Sequence, residues 1–251
     1  MIFLTRHGER SDFLNEDFHD KTKYLDAPLT SLGHDQAKTT GKEIKKIVYK
    51  LVEEKKLPAK PQFMILSSPF LRTIETAAGI AEAFDPDELY DKSIFVQNGC
   101  SECLYWYPSD PMNDIEFAKL GSDAFYDKYS ISVRPGFFDE SLFVQAKFPE
   151  GKDDFIARVQ KFYAVLFELY MERLAKEGVV LIIATHGWGI KGMLQYVKGY
   201  DESKSIDYCS LSAIYYEKPD LSVEPKVLLA QSHDHLDALP KSEDVFSKKG
   251  K

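Results

Sequence analysis

Cysteine is scarce in this chain. Cys100, Cys103 and Cys209, among 251 residues, are too few and too unevenly spaced to frame a disulfide scaffold. No Asn-x-Ser/Thr acceptor occurs either, so a reducing, cytoplasmic setting is expected. Long apolar runs are also missing. Ile2-Phe3-Leu4 is cut short by Arg6, well below the apolar region of a signal peptide. No run reaches the ~20 residues of a membrane span, and no membrane partner is expected. Positive charge is in deficit, with 32 Lys and Arg against 40 Asp and Glu for a net charge of -8. That balance disfavours a nucleic-acid partner, since phosphate backbones are bound by clustered Lys and Arg. There is no glycine-rich nucleotide loop, no internal repeat and no low-complexity tract. Any positive charge that matters must be local.

What remains is a globular composition, 44% hydrophobic and 29% charged, in a chain long enough to bury a substantial core. A single domain over residues 1–251 is expected. Ile2 to Thr5 reads as a buried strand entering a polar loop. Glu9 to Leu29 has no period and reads as a loop around the end of that strand. Thr30 is placed to cap a helix carrying Ala37, Ile44, Ile47, Val48 and Leu51. Phe63 to Leu66 reads as a second strand, followed by Ser67-Ser68 as a cap, Pro69 at the first helical position and a helix to about Phe84. Ser93 to Val96 suits a third strand. Residues 105–149 are rich in aromatics and prolines and too long for a bare connection; the spacing predicts a partly helical insertion at about 103–150.

Lys152 to Lys176 has the apolar spacing of an amphipathic helix, broken by Gly178. Val179 to Ala184 is the strongest strand, and a helix from Ile190 to Val197 follows. Leu211 to Tyr216 and Val227 to Ala230 complete the alternation. The pattern predicts an α/β fold with a mainly parallel central sheet and helices on both faces. The charged tail from about residue 240 is expected to be mobile.

Two of the buried strands end in histidine followed by glycine, His7-Gly8 and His186-Gly187, and a third leads to Arg72 in the first turns of its helix. Ligands of open α/β sheets bind at the carboxyl ends of strands. Arg6, Arg72 and the two histidines would therefore gather positive charge at one edge of an acidic protein, beside helix N-termini that favour anions. A phosphoryl group needs this arrangement, because its transfer depends on positioning and on charge stabilisation by forked arginine donors. A neutral imidazole can attack phosphorus, and a protonated second imidazole can donate to a phosphate oxygen. Glycine beside each histidine is expected to let the backbone approach a ligand. Singly, such residues are more often structural or solvated. Their joint placement is hard to assign to packing.

These residues carry a family resemblance. Leu4-Thr5-Arg6-His7-Gly8-Glu9-Arg10 resembles the Arg-His-Gly signature of the histidine phosphatase superfamily. Ser67-Ser68-Pro69-Phe70-Leu71-Arg72-Thr73-Ile74-Glu75-Thr76-Ala77 is similar to its second signature, and Ala184-Thr185-His186-Gly187 to its third. Gly99-Cys100-Ser101-Glu102 resembles the segment bearing the acid in the eukaryotic branch that includes the Sts-type and ecdysteroid-phosphate phosphatases. The resemblance implies a phosphoglycerate-mutase-like fold and a phosphomonoesterase acting on a small-molecule or protein phosphomonoester. It implies His7 as nucleophile, Arg6, Arg72 and His186 as catalytic groups that hold the phosphate, Glu102 as proton donor, and Arg10 near the pocket. Neither metal nor cofactor is implied. The alternatives are a phosphoglycerate-type mutase and a phosphate-dependent binding module without turnover. The chain departs from the mutases at Cys103 to Pro108, where they carry a Tyr-Gly-x-Leu segment, and it has Gly151-Lys152-Asp153 where many members carry Gly-Glu-Ser.

Weaker signals are Cys100-x-x-Cys103, expected to fill space, and Ser232-His233-Asp234-His235, expected to be solvated rather than to bind metal. Most of the aromatics Tyr105, Trp106, Tyr107, Phe137 and Phe138 are expected to build the core of the insertion rather than a pocket.

Overall fold

The computed structural model describes residues 1–14, 25–112, 114–195, 205–218 and 223–242. Its strands are β1 (Ile2–Arg6), β2 (Gln62–Ser67), β3 (Leu89–Val96), β4 (Ser132–Pro135), β5 (Val179–Thr185), β6 (Leu211–Tyr215) and β7 (Lys226–Ser232). Its helices are α1 (Ser31–Glu53), α2 (Leu71–Ala81), α3 (Glu116–Tyr129), α4 (Lys152–Leu166), α5 (Glu172–Lys176) and α6 (Gly187–Leu194). A π turn over Phe167–Met171 joins α4 to α5, so the expected amphipathic helix from Lys152 to Lys176 is continuous.

The strands form one sheet in the order β4-β3-β2-β5-β1-β6-β7. All pairings from β4 to β1 are parallel, and β6 alone is reversed, pairing antiparallel with both β1 and β7. Alternation along the strands divides the core into two layers. Ile2, Leu4, Met64, Leu66, Leu181 and Ile183 pack with Phe155, Val159, Phe162 and Leu166 of α4 and with Ile190 and Met193 of α6. Phe3, Phe63, Ile65, Val180 and Ile182 pack on the other face with Ile44 and Val48 of α1 and Ile74, Ala77 and Ile80 of α2. Helices thus cover both faces, as the alternation predicts. No helix among the described residues is long and apolar enough to cross a membrane.

Thr30 caps α1 as expected, its side chain accepting from the Gly33 N–H at 2.9 Å. At α2 the reading differs. The helix begins at Leu71, not at Pro69, and ends at Ala81, short of Phe84. Its N-terminal donor is met from afar, with Leu71 N–H donating to Asp26 Oδ1 at 2.6 Å, while Ser68 is used elsewhere. β3 starts earlier than expected because Asp91 and Lys92, both at φ 51, carry the strand through a polar interruption that hides it in the sequence. The insertion also contributes β4, which joins the sheet edge beside β3 after the crossover helix α3. Its four residues are too short for an apolar pattern to announce them. α6 accounts for the helix expected from Ile190; Tyr196 and Val197 lie outside the described residues, as do residues 15–24 of the expected loop and the tail beyond residue 242.

Cys100 and Cys103 form no disulfide among the described residues and are buried in the core. His235, expected to be solvated, is partly buried, with its Nε2 2.9 Å from Thr40 Oγ1.

Candidate active site

The sheet puts the three motif-bearing strands side by side, β5 lying between β1 and β2. Arg6 pairs with Thr185, and Ser67 with Ala184. One residue further on, His7 N–H donates to Thr185 O at 3.0 Å and Ser68 N–H to Ala184 O at 3.1 Å. His7, His186 and Ser68 therefore emerge together, with the rings of His7 and His186 meeting edge to face at 5.5 Å between centroids.

His7 is buried, and its Nδ1 lies 2.8 Å from Gly8 O. A carbonyl only accepts, so Nδ1 carries the proton and the lone pair of a neutral ring resides on Nε2. Burial, then the charges of Arg6, Arg72, His186 and Arg10, hold the His7 pKa well below 6.5. The ring is neutral at pH 7. Gly8 is required for a different reason than ligand approach: a Cβ there would lie 2.5 Å from Gly33 O, where α1 closes on the His7 loop.

Arg72, in the first turn of α2, is fully buried and lies over the Phe70 ring at 4.5 Å. Its Nη2 faces Glu102 Oε2 at 3.3 Å, Tyr107 Oη at 3.3 Å and His186 Nδ1 at 3.4 Å. Burial works against its charge, but Tyr107, Glu102 and Asp26 outweigh it and raise the pKa. Nε and Nη1 have no hydrogen-bond partner among the described residues. Buried donors of a charged group are rarely left so, because each forfeits its hydration without return.

His186 sits at the N-cap of α6, its Nδ1 3.1 Å from Glu102 Oε2 and its Nε2 2.8 Å from Ser68 Oγ. Burial prevails over Glu102 and pushes the pKa down to about 4. The ring is thus neutral, with Nδ1–H directed at the carboxylate and Nε2 accepting from Ser68, and not the cation that the sequence suggests. For Glu102, burial alone would raise the pKa; His186, Arg72 and the Cys103 N–H together overcome it and hold the carboxyl below its ordinary range.

Arg6 is half-buried, donates from Nη1 to Ile206 O at 2.8 Å and lies over the Tyr208 ring at 4.3 Å. Tyr208 in turn sits 5.7 Å from the His7 ring. Arg10 is nearby in charge but engaged: its Nε and Nη2 bond Asp12 at 2.7 and 2.5 Å, and its guanidinium covers Phe13. Glu9 is tied to Thr30 Oγ1 and Ser242 Oγ.

The expected core aromatics divide. Phe138 is buried, with Phe137 packed against the same cluster, whereas Tyr105 is 53% exposed and Tyr107 reaches the site; the Trp106 side chain is outside the described residues. Ser68, Tyr107 and Tyr208 are site residues that sequence reasoning missed. Ser68 looks like an ordinary cap, and Tyr107 and Tyr208 lie in stretches without periodicity.

Ligand atoms of His7, Glu102 and His186 all lie within 4.8 Å of one another, a spacing a divalent ion could bridge. The buried guanidinium of Arg72 occupies the same space, 3.3 Å from that carboxylate, and its charge opposes a second cation there. With two unpartnered Arg72 donors, the donor set suits an oxyanion better.

Comparison with known proteins follows the same line. Residues 2–93 match the model of the histidine phosphatase superfamily (branch 1). No curated protein matches the chain. Among solved structures, the ecdysone phosphate phosphatase from Bombix mori, in complex with tungstate, is similar at 18% identity and a TM-score of 0.57, covering 98% of each chain. A mycobacterial glucosyl-3-phosphoglycerate phosphatase is similar at 15% identity and a TM-score of 0.51, covering 92% of this chain and 98% of that one. At these identities the likeness is one of fold. Over residues 2–93, which hold the His7 and Arg72 motifs, the chain's resemblance to the histidine phosphatase superfamily stands, and its architecture is the phosphoglycerate-mutase-like fold.

Proposed function

We propose that this chain is a phosphomonoesterase that transfers the phosphoryl group of a small-molecule or protein monoester to Nε2 of His7 and then to water. The observation that carries this reading is the pairing of a neutral, buried His7, whose Nδ1–H is tied to Gly8 O, with the two unpartnered buried donors of Arg72. One supplies the lone pair, the other charged N–H donors for phosphate oxygens. Arg6 and the N-terminus of α6 behind His186 add positive potential. The reaction as written needs no metal. Residues 1–251 act as one catalytic domain, with 103–150 inserted into it, in the cytoplasm.

Glu102 has two tasks in this mechanism. Phosphorylation of His7 breaks the bond between phosphorus and the ester oxygen, and Glu102 gives that oxygen a proton. The free carboxyl is ionised, so Glu102 takes up a proton from solvent as the substrate binds: a dianionic phosphate beside Arg72 offsets the positive field that keeps Glu102 ionised. Once deprotonated, Glu102 is held as a carboxylate by Arg72 and the Cys103 N–H. It then takes a proton from the water that attacks phosphohistidine.

Brief mixing with radiolabelled phosphomonoester and an alkaline quench tests this reading. An alkali-stable, acid-labile phosphoenzyme is expected, absent from His7→Ala. Equal labelling in that variant would remove His7 as nucleophile, and isomerisation of 3-phosphoglycerate exceeding phosphate release would replace hydrolysis by mutase chemistry.

A further inference from the structure

Glu102 lies between two single 3₁₀ turns, Asn98–Cys100 and Leu104–Trp106, with no strand or α-helix to hold it, yet its carboxylate meets His186 and Arg72 at defined distances. The support comes from α4. Arg158 projects from that helix into the core, where its side chain is fully buried, and forms a two-pronged ion pair with the equally buried Glu150, Nε to Oε1 at 2.7 Å and Nη2 to Oε2 at 3.0 Å. The remaining donors of the guanidinium turn to main-chain carbonyls: Gly99 O at 3.1 Å, Ser101 O at 3.4 Å and Glu102 O at 3.1 Å. Glu150 Oε2 also accepts from Leu104 N–H at 3.2 Å.

The pair thus grips residues 99–104 from both kinds of backbone group. The same segment is closed from other sides. Thr185 Oγ1, at the end of β5, donates to Cys100 O at 2.7 Å, and a Cβ on Gly99 would meet Phe162 of α4 at 2.6 Å. A buried ion pair is a poor source of net stability, because desolvation cancels most of its attraction and apolar residues of similar volume serve as well. Its directed donors do what apolar packing cannot: they set carbonyl positions to a fraction of an ångström.

We infer that Arg158 and Glu150 are positioning residues for proton transfer, fixing the backbone of residues 99–104 so that the Glu102 carboxyl stands at the leaving oxygen. The inference rests on the proposed role of Glu102. Arg158 touches no reacting group, so its removal should reproduce the leaving-group signature of losing the acid without removing the acid itself.

The test compares single-turnover phosphorylation with an alkyl phosphate and with p-nitrophenyl phosphate, in the wild type and in Glu102→Gln, Arg158→Met, Glu150→Gln and the double variant Glu150→Leu/Arg158→Met. The double variant removes both charges together and guards against the unfolding that one uncompensated buried charge can cause. Displacement of a catalytic group by about 1 Å costs on the order of 10²-fold. Arg158→Met and the double variant are therefore expected to lose roughly 10- to 100-fold on the alkyl substrate and no more than about threefold on the aryl one, with the milder Glu150→Gln between them and the wild type. An unchanged alkyl-to-aryl ratio in the folded double variant and in Glu150→Gln, while Glu102→Gln shows the selective loss, overturns the positioning role and leaves the proposed mechanism standing. No selective loss in Glu102→Gln overturns the acid assignment and this inference with it.

Discussion

Two regions meet at the proposed phosphate pocket, and they are held in different ways. The strand-end region carries His7, Ser68 and His186 on neighbouring strands, each placed by the register of β1, β5 and β2 and by ladder hydrogen bonds that run one residue past the strands. The segment from Gly99 to Tyr107, leading into the insertion, has no such ladder. It places Glu102 through side-chain contacts to α4 and β5, and Tyr107 through a 3.3 Å contact with Arg72 and packing on Phe70. Under the proposed mechanism, the groups that bind and attack phosphorus are built on the strand ends of the sheet and on the first turn of α2. Under the same mechanism, the group that deals with the leaving oxygen is built on the loop. Alteration of the first region should damage all substrates alike, and alteration of the second should damage some more than others.

Glu102→Gln is the strongest way to break that contrast. The substitution keeps the shape and removes the proton, and general acid catalysis typically contributes roughly 10²–10⁴-fold. A loss in that range is expected for alkyl phosphates in single-turnover phosphorylation, and a far smaller one for p-nitrophenyl phosphate, whose anion leaves unaided. Equal losses on both would remove Glu102 as the acid.

Arg72→Lys should cost roughly 10²-fold in kcat/KM for alkyl and aryl substrates alike, the scale of removing one donor aimed at developing charge. An ammonium keeps the charge but cannot reproduce the separately directed donors of Nε and Nη1 on a rigid plane. Near-normal kcat/KM for either substrate would show that these donors do not hold the phosphate.

Tyr107→Phe tests the weaker region again. Loss of one hydrogen bond to Arg72 is worth about 1 kcal/mol, so a decrease of about fivefold is expected, varying with the leaving group. A uniform loss as large as that of Arg72→Lys would place Tyr107 with the phosphate-binding region instead.

The smallest effect concerns stability and belongs to the strand ends. His7 and His186 are buried with pKa values lowered from 6.5, so the unfolded chain binds more protons than the folded one below that pH. Their contribution is present above pH 6.5 and is lost as pH falls. Between pH 6.5 and 5.5 the loss should be about 1 kcal/mol for each histidine. Denaturant titrations across this range would measure it, and His186→Ala should flatten the slope. An unchanged slope in that variant would show that His186 does not enter the native state as the neutral ring.

The strands and helices were legible where periodicity runs unbroken. β5, the continuous helix from Lys152 to Lys176 and the capped start of α1 all follow from local pattern. β4 and the beginning of β3 were not, because one is only four residues long and the other passes through Asp91 and Lys92 in a left-handed conformation. The placement of His7, Arg72 and His186 at one edge was legible for a related reason: parallel strands necessarily gather their carboxyl ends.

What the sequence by itself determined, then, is the set of elements and the chemistry carried at their ends, since apolar spacing and strand-end position are encoded within a few residues of one another. Only the tertiary structure decided the partners. Leu71 N–H bonds Asp26 across 45 residues, and Ser68 serves His186 across 118 instead of capping α2. Arg10 turns to Asp12 and Phe13, while Arg158 reaches back 56 residues to the carbonyl of Glu102. Such choices depend on which polar groups become buried together, and a buried donor must find an acceptor wherever packing has brought one.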